Sequence, residues 1–159
     1  MGDRVLVLNA GSSTLKGSLI DRGRESPVAA TTVEWGGGPD VTVEDAELAL
    51  TSALDALDRP VLDDLAGIGH RVVHGGPALA APVVVDDESL AIIESATALA
   101  PLHVPPAVAV IRAVGHLAPA ARQVACFDTA FHAARPDIDR RYPVPESWAT
   151  HNGIRRYGF

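Results

Sequence analysis

Three short stretches of the chain gather the residue types that handle charged oxygens. Asn9-Ala10-Gly11-Ser12-Ser13-Thr14-Leu15-Lys16 sets backbone amides, three hydroxyls and an ammonium in one turn, a donor-rich arrangement suited to a phosphate. Lys16 is the only lysine among 13 basic residues. The turn lacks the Gly-Lys-Ser/Thr spacing of a Walker-type loop, so that mechanism has no support, and an ordinary polar hairpin is the competing reading. Gly69-His70-Arg71-Val72-Val73-His74-Gly75-Gly76 puts a guanidinium and two imidazoles on and beside an apolar strand. Strand alternation sends positions 70 and 74 to one side and Arg71 to the other. No Glu or Cys stands near at a spacing that would complete a metal site, so the histidines are expected to make structural hydrogen bonds. Arg71 needs an anion, either a carboxylate of the protein or a ligand. Cys126-Phe127-Asp128-Thr129-Ala130-Phe131-His132 places a carboxylate at the end of a strand, where open α/β sheets build their sites. Asp128 there binds a metal, accepts a proton or caps the next turn. Cys126 reads as a small buried hydrophobe with no base beside it to activate it.

The elements that position these groups follow from periodicity and breakers. Arg4 to Leu8 and Leu15 to Asp21 read as strands joined in a hairpin, and Pro27 to Trp35 as a third, closed by an exposed, mobile loop at Gly36-Gly37-Gly38-Pro39. Thr42 with Asp45 three residues on is a capping-box start for a helix over 43–58, with apolar residues at 46, 50, 53, 54 and 57. Leu65 to Val73 predicts a strand that feeds a tight Gly75-Gly76-Pro77 loop, and Val83 to Val85 a brief one. Asp86 or Asp87 caps a helix reaching about Ala98, Pro105-Pro106 opens another to about 117, and Gln123 to Phe127 is a last buried strand. Three strands followed by alternating helices and strands indicate an α/β domain with a mixed sheet.

Composition limits the partners. In 159 residues 47% are apolar, enough for one ordinary domain, which argues against disorder along the whole chain. A formal net charge of -7 repels phosphate backbones and anionic lipid, so neither nucleic acid nor a membrane surface is an expected partner. One cysteine makes no internal disulfide, and no stretch of 18 apolar residues occurs. The expected location is the cytoplasm.

Read together, Leu6 to Lys16, Gly69 to Gly76, Ala100-Pro101-Leu102-His103, Phe127 to His132 and Gly153-Ile154-Arg155-Arg156-Tyr157-Gly158-Phe159 resemble, in order and spacing, the N-terminal part of the acetate kinases. Each piece is weak alone; five in register over nearly the whole chain are specific. The resemblance implies a ribonuclease-H-like domain of the acetate and sugar kinase, Hsc70 and actin superfamily, with a mixed sheet of about five strands and a βββαβα order. It also implies reversible transfer of the ATP γ-phosphoryl group to acetate, giving acetyl phosphate and ADP with Mg²⁺. By the same resemblance Arg71 meets the carboxylate and the transferring phosphoryl, and Asp128 organises Mg²⁺ and catalysis. Asn9, Ser12, Thr14 and Lys16 form the phosphate-side loop, with Asn9 also toward the metal, and Val73, Leu102 and Phe159 surround the substrate methyl.

Two residues depart from the family pattern. Thr14 replaces a frequent serine and keeps the hydroxyl; Val104 stands where asparagine is common and removes a polar group from beside the expected pocket. The pattern also continues past Phe159 with a second arginine and adenosine-binding loops. The 159 residues are therefore read as the N-terminal domain of a longer, homodimeric enzyme, without the nucleotide-binding domain and inactive alone. A propionate or butyrate kinase, or a non-catalytic ribonuclease-H-like binding module, are the alternatives.

Overall fold

A computed structural model describes residues 3–24, 26–57 and 65–157 of the chain. Strand β1 (Arg4–Ala10) turns through Gly11 to Ser13 into β2 (Thr14–Asp21), and β3 (Ala29–Glu34) completes an antiparallel meander. Strand β4 (Leu65–Val72) returns parallel to β1, β6 (Gln123–Phe127) lies parallel to β4, and the two-residue β5 (Val83–Val84) pairs antiparallel with β6 at the edge. The sheet therefore has six strands in the order β3-β2-β1-β4-β6-β5. The brief strand expected at 83–85 supplies the sixth, against the expectation of about five.

Helix α1 (Val43–Ala56) begins where the hydrogen-bonding pattern of Thr42 and Asp45 places it. The Asp45 amide donates to Thr42 Oγ1, and the Thr42 amide donates to the Asp45 carboxylate. Its buried face is Ala46, Ala49, Leu50, Ala53 and Leu54, while Leu48 on the opposite side is exposed. Helix α2 (Asp87–Ser95) starts from a capping box at Asp86 and Ser89, and α3 (Val104–Leu117) carries prolines in its first turn, where no amide donor is needed. Two short helices, α4 (Asp137–Arg140) and α5 (Glu146–Asn152), lie in the C-terminal stretch, and Gly153 ends α5 at φ +60°, a left-handed cap that favours glycine.

The core lies on one face of the sheet. Leu6, Leu8, Leu15, Leu19 and Ile68 pack with α1 and the α3 residues Val110 and Val114; Val72, Ala125 and Phe127 pack with Ile93 and Ile111. Val104, the departure from the family pattern, is fully buried in this second cluster. It is a core residue at the start of α3, so its apolar character is satisfied by packing.

The opposite face carries no helix among the described residues. There Val5 and Val7 of β1 flank Gly67 and Gly69 of β4, with Val124 and Cys126 of β6 beyond, around an open groove of about 420 Å³. This overturns the expectation for Cys126. Its neighbours Ala125 and Phe127 point into the core, so alternation turns the thiol to the uncovered face, where it is exposed. The Gly36–Gly38 loop also differs from expectation. Gly37 is buried, and a Cβ on it would lie 2.5 Å from both the Gly11 carbonyl oxygen and the Trp35 ring.

Candidate functional site

Strand register builds the site. Lys16 on β2 lies opposite Asn9 on β1, Asn9 is in register with Arg71 on β4, and Arg71 with Cys126 on β6. Residues opposite one another in neighbouring strands share a face, so the polar side chains form one row across the open face. The row falls at the carboxyl ends of the three parallel strands, where loops leave room for a ligand. Below it the same face turns apolar through Val7, Gly69 and Val124.

Arg71 is the centre of the row. Its Nε donates to Asp128 Oδ1 at 3.0 Å and its Nη2 to Oδ2 at 2.6 Å, a two-point fork, and its Nη1 donates to Asn9 Oδ1 at 3.1 Å. Asp128 comes from the turn directly after β6, so residues far apart in the chain converge because β1, β4 and β6 are adjacent. The Arg71 side chain keeps 48% of its surface and Asp128 only 23%. The guanidinium therefore has an exposed edge while the carboxylate that orients it is more enclosed. Arg71 needs an anion, and the structure gives it a protein carboxylate without closing it to solvent.

The two histidines behave as their side of the strand requires. His70 is 2% exposed and its Nε2 lies 2.8 Å from Gln123 Oε1, an acceptor, so that nitrogen carries the proton. Burial pulls its pKa down to about 4, with the Gln123 bond opposing. His74 accepts from the Gly76 amide at Nδ1 and packs against the Tyr157 ring at 4.4 Å between centroids. Burial first, then the Arg155 charge, lower its pKa. Burial likewise raises that of the Cys126 thiol.

The hairpin loop is braced from outside. The Gly11 amide donates to the Thr14 carbonyl at 2.8 Å, the Trp35 indole Nε1 donates to the Gly11 carbonyl at 3.0 Å, and the Trp35 amide donates to the Ser13 carbonyl. With those carbonyls engaged, the exposed Ser12 hydroxyl and Lys16 ammonium are presented at the rim. A second brace joins the far side: the Gly75 amide donates to the buried Thr129 Oγ1 at 3.2 Å, tying the loop after Arg71 to the turn that carries Asp128. Trp35, Gly37 and Thr129 escaped the reading of the sequence. An indole beside three glycines was the one available signal, since it marks a place where only hydrogen atoms fit against a ring.

The apolar residues expected around a substrate methyl are less gathered. Val73 is half-buried just beyond β4, Leu102 is 55% exposed before α3, and Phe159 lies outside the described residues. No group of three or more His, Cys, Asp or Glu side chains capable of holding a metal occurs among the described residues. Asp128 and Asn9 offer one carboxylate and one amide oxygen, both engaged by Arg71. That donor set fits Mg²⁺ in the way the ion is usually held beside phosphates, through one or two protein oxygens completed by substrate and water.

A mixed six-stranded sheet with helices packed on it and a polar row at its carboxyl edge is a domain of the actin-like ATPase type. The acetokinase family profile matches residues 4–159, and the chain belongs to that family. It is 39% identical over 177 residues to an acetate kinase of Clostridium botulinum (strain Loch Maree), covering 98% of this chain and 45% of the relative. An acetate kinase of an Exiguobacterium species is 36% identical, with 44% of its length covered. Among solved structures, acetate kinase from Porphyromonas gingivalis superposes with a TM-score of 0.80 at 29% identity, over 99% of this chain and 45% of that one. A propionate kinase from Francisella tularensis superposes at 0.76 with 30% identity and the same coverage. The chain thus spans under half the length of the relatives it matches. No helix among the described residues is long and apolar enough to cross a membrane.

Proposed function

We propose that this chain is the N-terminal domain of a carboxylate phosphotransferase that moves the γ-phosphoryl group of ATP reversibly to acetate. The observation that carries the reading is the Arg71 fork on Asp128, with Asn9 in register beside it. Phosphoryl transfer asks a protein mainly to position two anions and to cancel charge on the transferred oxygens. Asp128 holds the guanidinium plane fixed, so Arg71 need not reorganise to meet a carboxylate or a phosphoryl oxygen. An incoming anion takes the exposed edge and competes with Asn9 for Nη1, which leaves the Asn9 amide free to turn toward the phosphate. Ser12, Thr14 and Lys16 donate from the hairpin side. The family pattern assigns Val73, Leu102 and Phe159 to the acid's methyl group, with each methylene worth about 1–3 kcal/mol of discrimination. Asp128 and Asn9 are the residues that would hold Mg²⁺, which would supply charge neutralisation for the phosphates.

The remaining cationic and adenosine-binding groups belong to the rest of the enzyme, a homodimer in this reading, so the 159 residues alone have no turnover. In the complete enzyme, Arg71→Ala lowers kcat for acetyl phosphate formation by about 10³-fold or more, the scale of a transition-state arginine. ATP-dependent acetyl phosphate from the purified 159-residue chain, abolished by Arg71→Ala, would refute the division of labour. A loss under tenfold in the complete enzyme would refute the role of Arg71. Propionate is the second candidate acid, favoured by the similarity to a propionate kinase structure. Relative kcat/KM for the two acids decides between them.

A further inference from the structure

We propose that a second, separate pocket, formed where the C-terminal stretch folds back over the turn after β6, binds a single tetrahedral oxyanion of the phosphate class. Thr129, His132, Arg140, Arg155, Arg156 and Tyr157 line it. None of Asn9, Arg71 or Asp128 does, and the inference does not rest on the kinase reading.

The charge of this pocket runs against the composition of the chain. Acidic residues outnumber basic ones 20 to 13, yet three guanidinium groups and an imidazole meet here. Among the described residues the one carboxylate bonded to any of these arginines is that of Asp137, which takes Arg140 Nη2. Arg140 Nε is buried and has no hydrogen-bond partner, an unfavourable condition for a charged donor that an incoming acceptor would relieve. Arg155 lies 4.5 Å over the Tyr157 ring and Arg156 5.3 Å over the Tyr142 ring. Ring stacking occupies the face of a guanidinium and leaves its N–H edges to donate.

The arrangement is also held in place before any ligand comes. The Arg156 amide donates to the Arg140 carbonyl at 2.7 Å, clamping the two basic segments together. His74 packs against the Tyr157 ring that Arg155 covers, and its pKa is lowered by burial first and by the Arg155 charge second. The free volume is about 50 Å³, a small site that suits a single phosphoryl-sized anion, so inorganic phosphate or the terminal phosphoryl group of a small ester is the ligand class.

The experiment titrates the 159-residue chain with inorganic phosphate and, separately, with methyl phosphate, following the His132 imidazole and Tyr157 ring resonances. A sodium chloride titration sets the ionic-strength background. The expected result is saturable shifts at both residues above that background, weakened about tenfold in Arg155→Gln and in Arg156→Gln, as the loss of a charge-assisted bond requires. Arg71→Ala, which removes an exposed guanidinium outside this pocket, leaves them unchanged. Saturation by both ligands supports a phosphoryl site open on one side; saturation by inorganic phosphate alone supports an enclosed site for the free ion. Shifts no larger than those with chloride would overturn the proposal. So would shifts abolished by Arg71→Ala but retained in both glutamine variants, and so would equal saturation by acetate, a planar anion.

Discussion

His70 offers a measurable link between burial and pH. The side chain is 2% exposed, and its pKa falls from 6.5 to about 4 because a charged imidazole buried there would lose its hydration. The unfolded chain binds a proton at this histidine between those two values and the folded chain does not. Stability from the neutral form is therefore complete above pH 6.5 and lost as pH falls toward 4. Each unit of difference is worth ~1.36 kcal/mol, so the full window costs roughly 3 kcal/mol, and about 2 kcal/mol is already gone at pH 5. His70→Gln keeps an amide donor for Gln123 Oε1 and removes the titration. Denaturant unfolding of both proteins at intervals from pH 8 to pH 5 is the assay, with the difference between the two curves as the readout, since all other titrating groups are shared. The wild-type advantage should shrink by about 2 kcal/mol over that range. A difference that stays constant with pH, or an imidazole resonance of His70 that titrates near 6.5, would refute the reasoning.

Other expectations are more local. Gly75→Ala puts a Cβ 2.4 Å from the Leu79 carbonyl oxygen and 2.9 Å from the Phe127 ring, so it should cost about 1–3 kcal/mol in unfolding experiments, the usual scale of overpacking. Trp35→Phe keeps the ring but removes the bond to the Gly11 carbonyl. A loss of about 1 kcal/mol and faster amide exchange at Gly11 are expected; unchanged exchange would mean that the indole does not brace the hairpin. Cys126 is exposed yet holds its proton more tightly than a free thiol because of partial burial. Its alkylation at pH 8 should be slower than that of a model thiol and accelerate only as pH rises past the ordinary thiol range, and a rate equal to the model's would contradict the shift.

Local chemistry made much of the fold legible. The capping pair Thr42 and Asp45 marked the first turn of α1, and the apolar positions at 46, 50, 53 and 54 named its buried face. Pro105-Pro106 marked α3, which begins at Val104 immediately before them because neither proline needs an amide partner in the first turn. The alternation of His70, Arg71 and Val72 separated the histidine that would be buried from the arginine that would not. Cys126 was misjudged for a related reason. The apolar run of β6 resembles a strand covered on both faces, and nothing within five residues reports that the second face is bare.

By itself, then, the order of residues determined the strands, helices α1 to α3 with the capping boxes of the first two, and the identity of the groups with affinity for anions, because those depend on neighbours a few positions away. Only the tertiary structure decided that Asn9, Arg71 and Asp128 meet, that Trp35 and Gly37 brace the hairpin, and that three arginines of the C-terminal stretch share one pocket with Thr129. Those contacts join residues between 24 and 62 positions apart where bonds record them, and such separations close only when the strands of the sheet, antiparallel in the hairpins and parallel across β1, β4 and β6, align in register. The register is set by the packing of a whole sheet against its helices, a property that no local stretch of sequence contains.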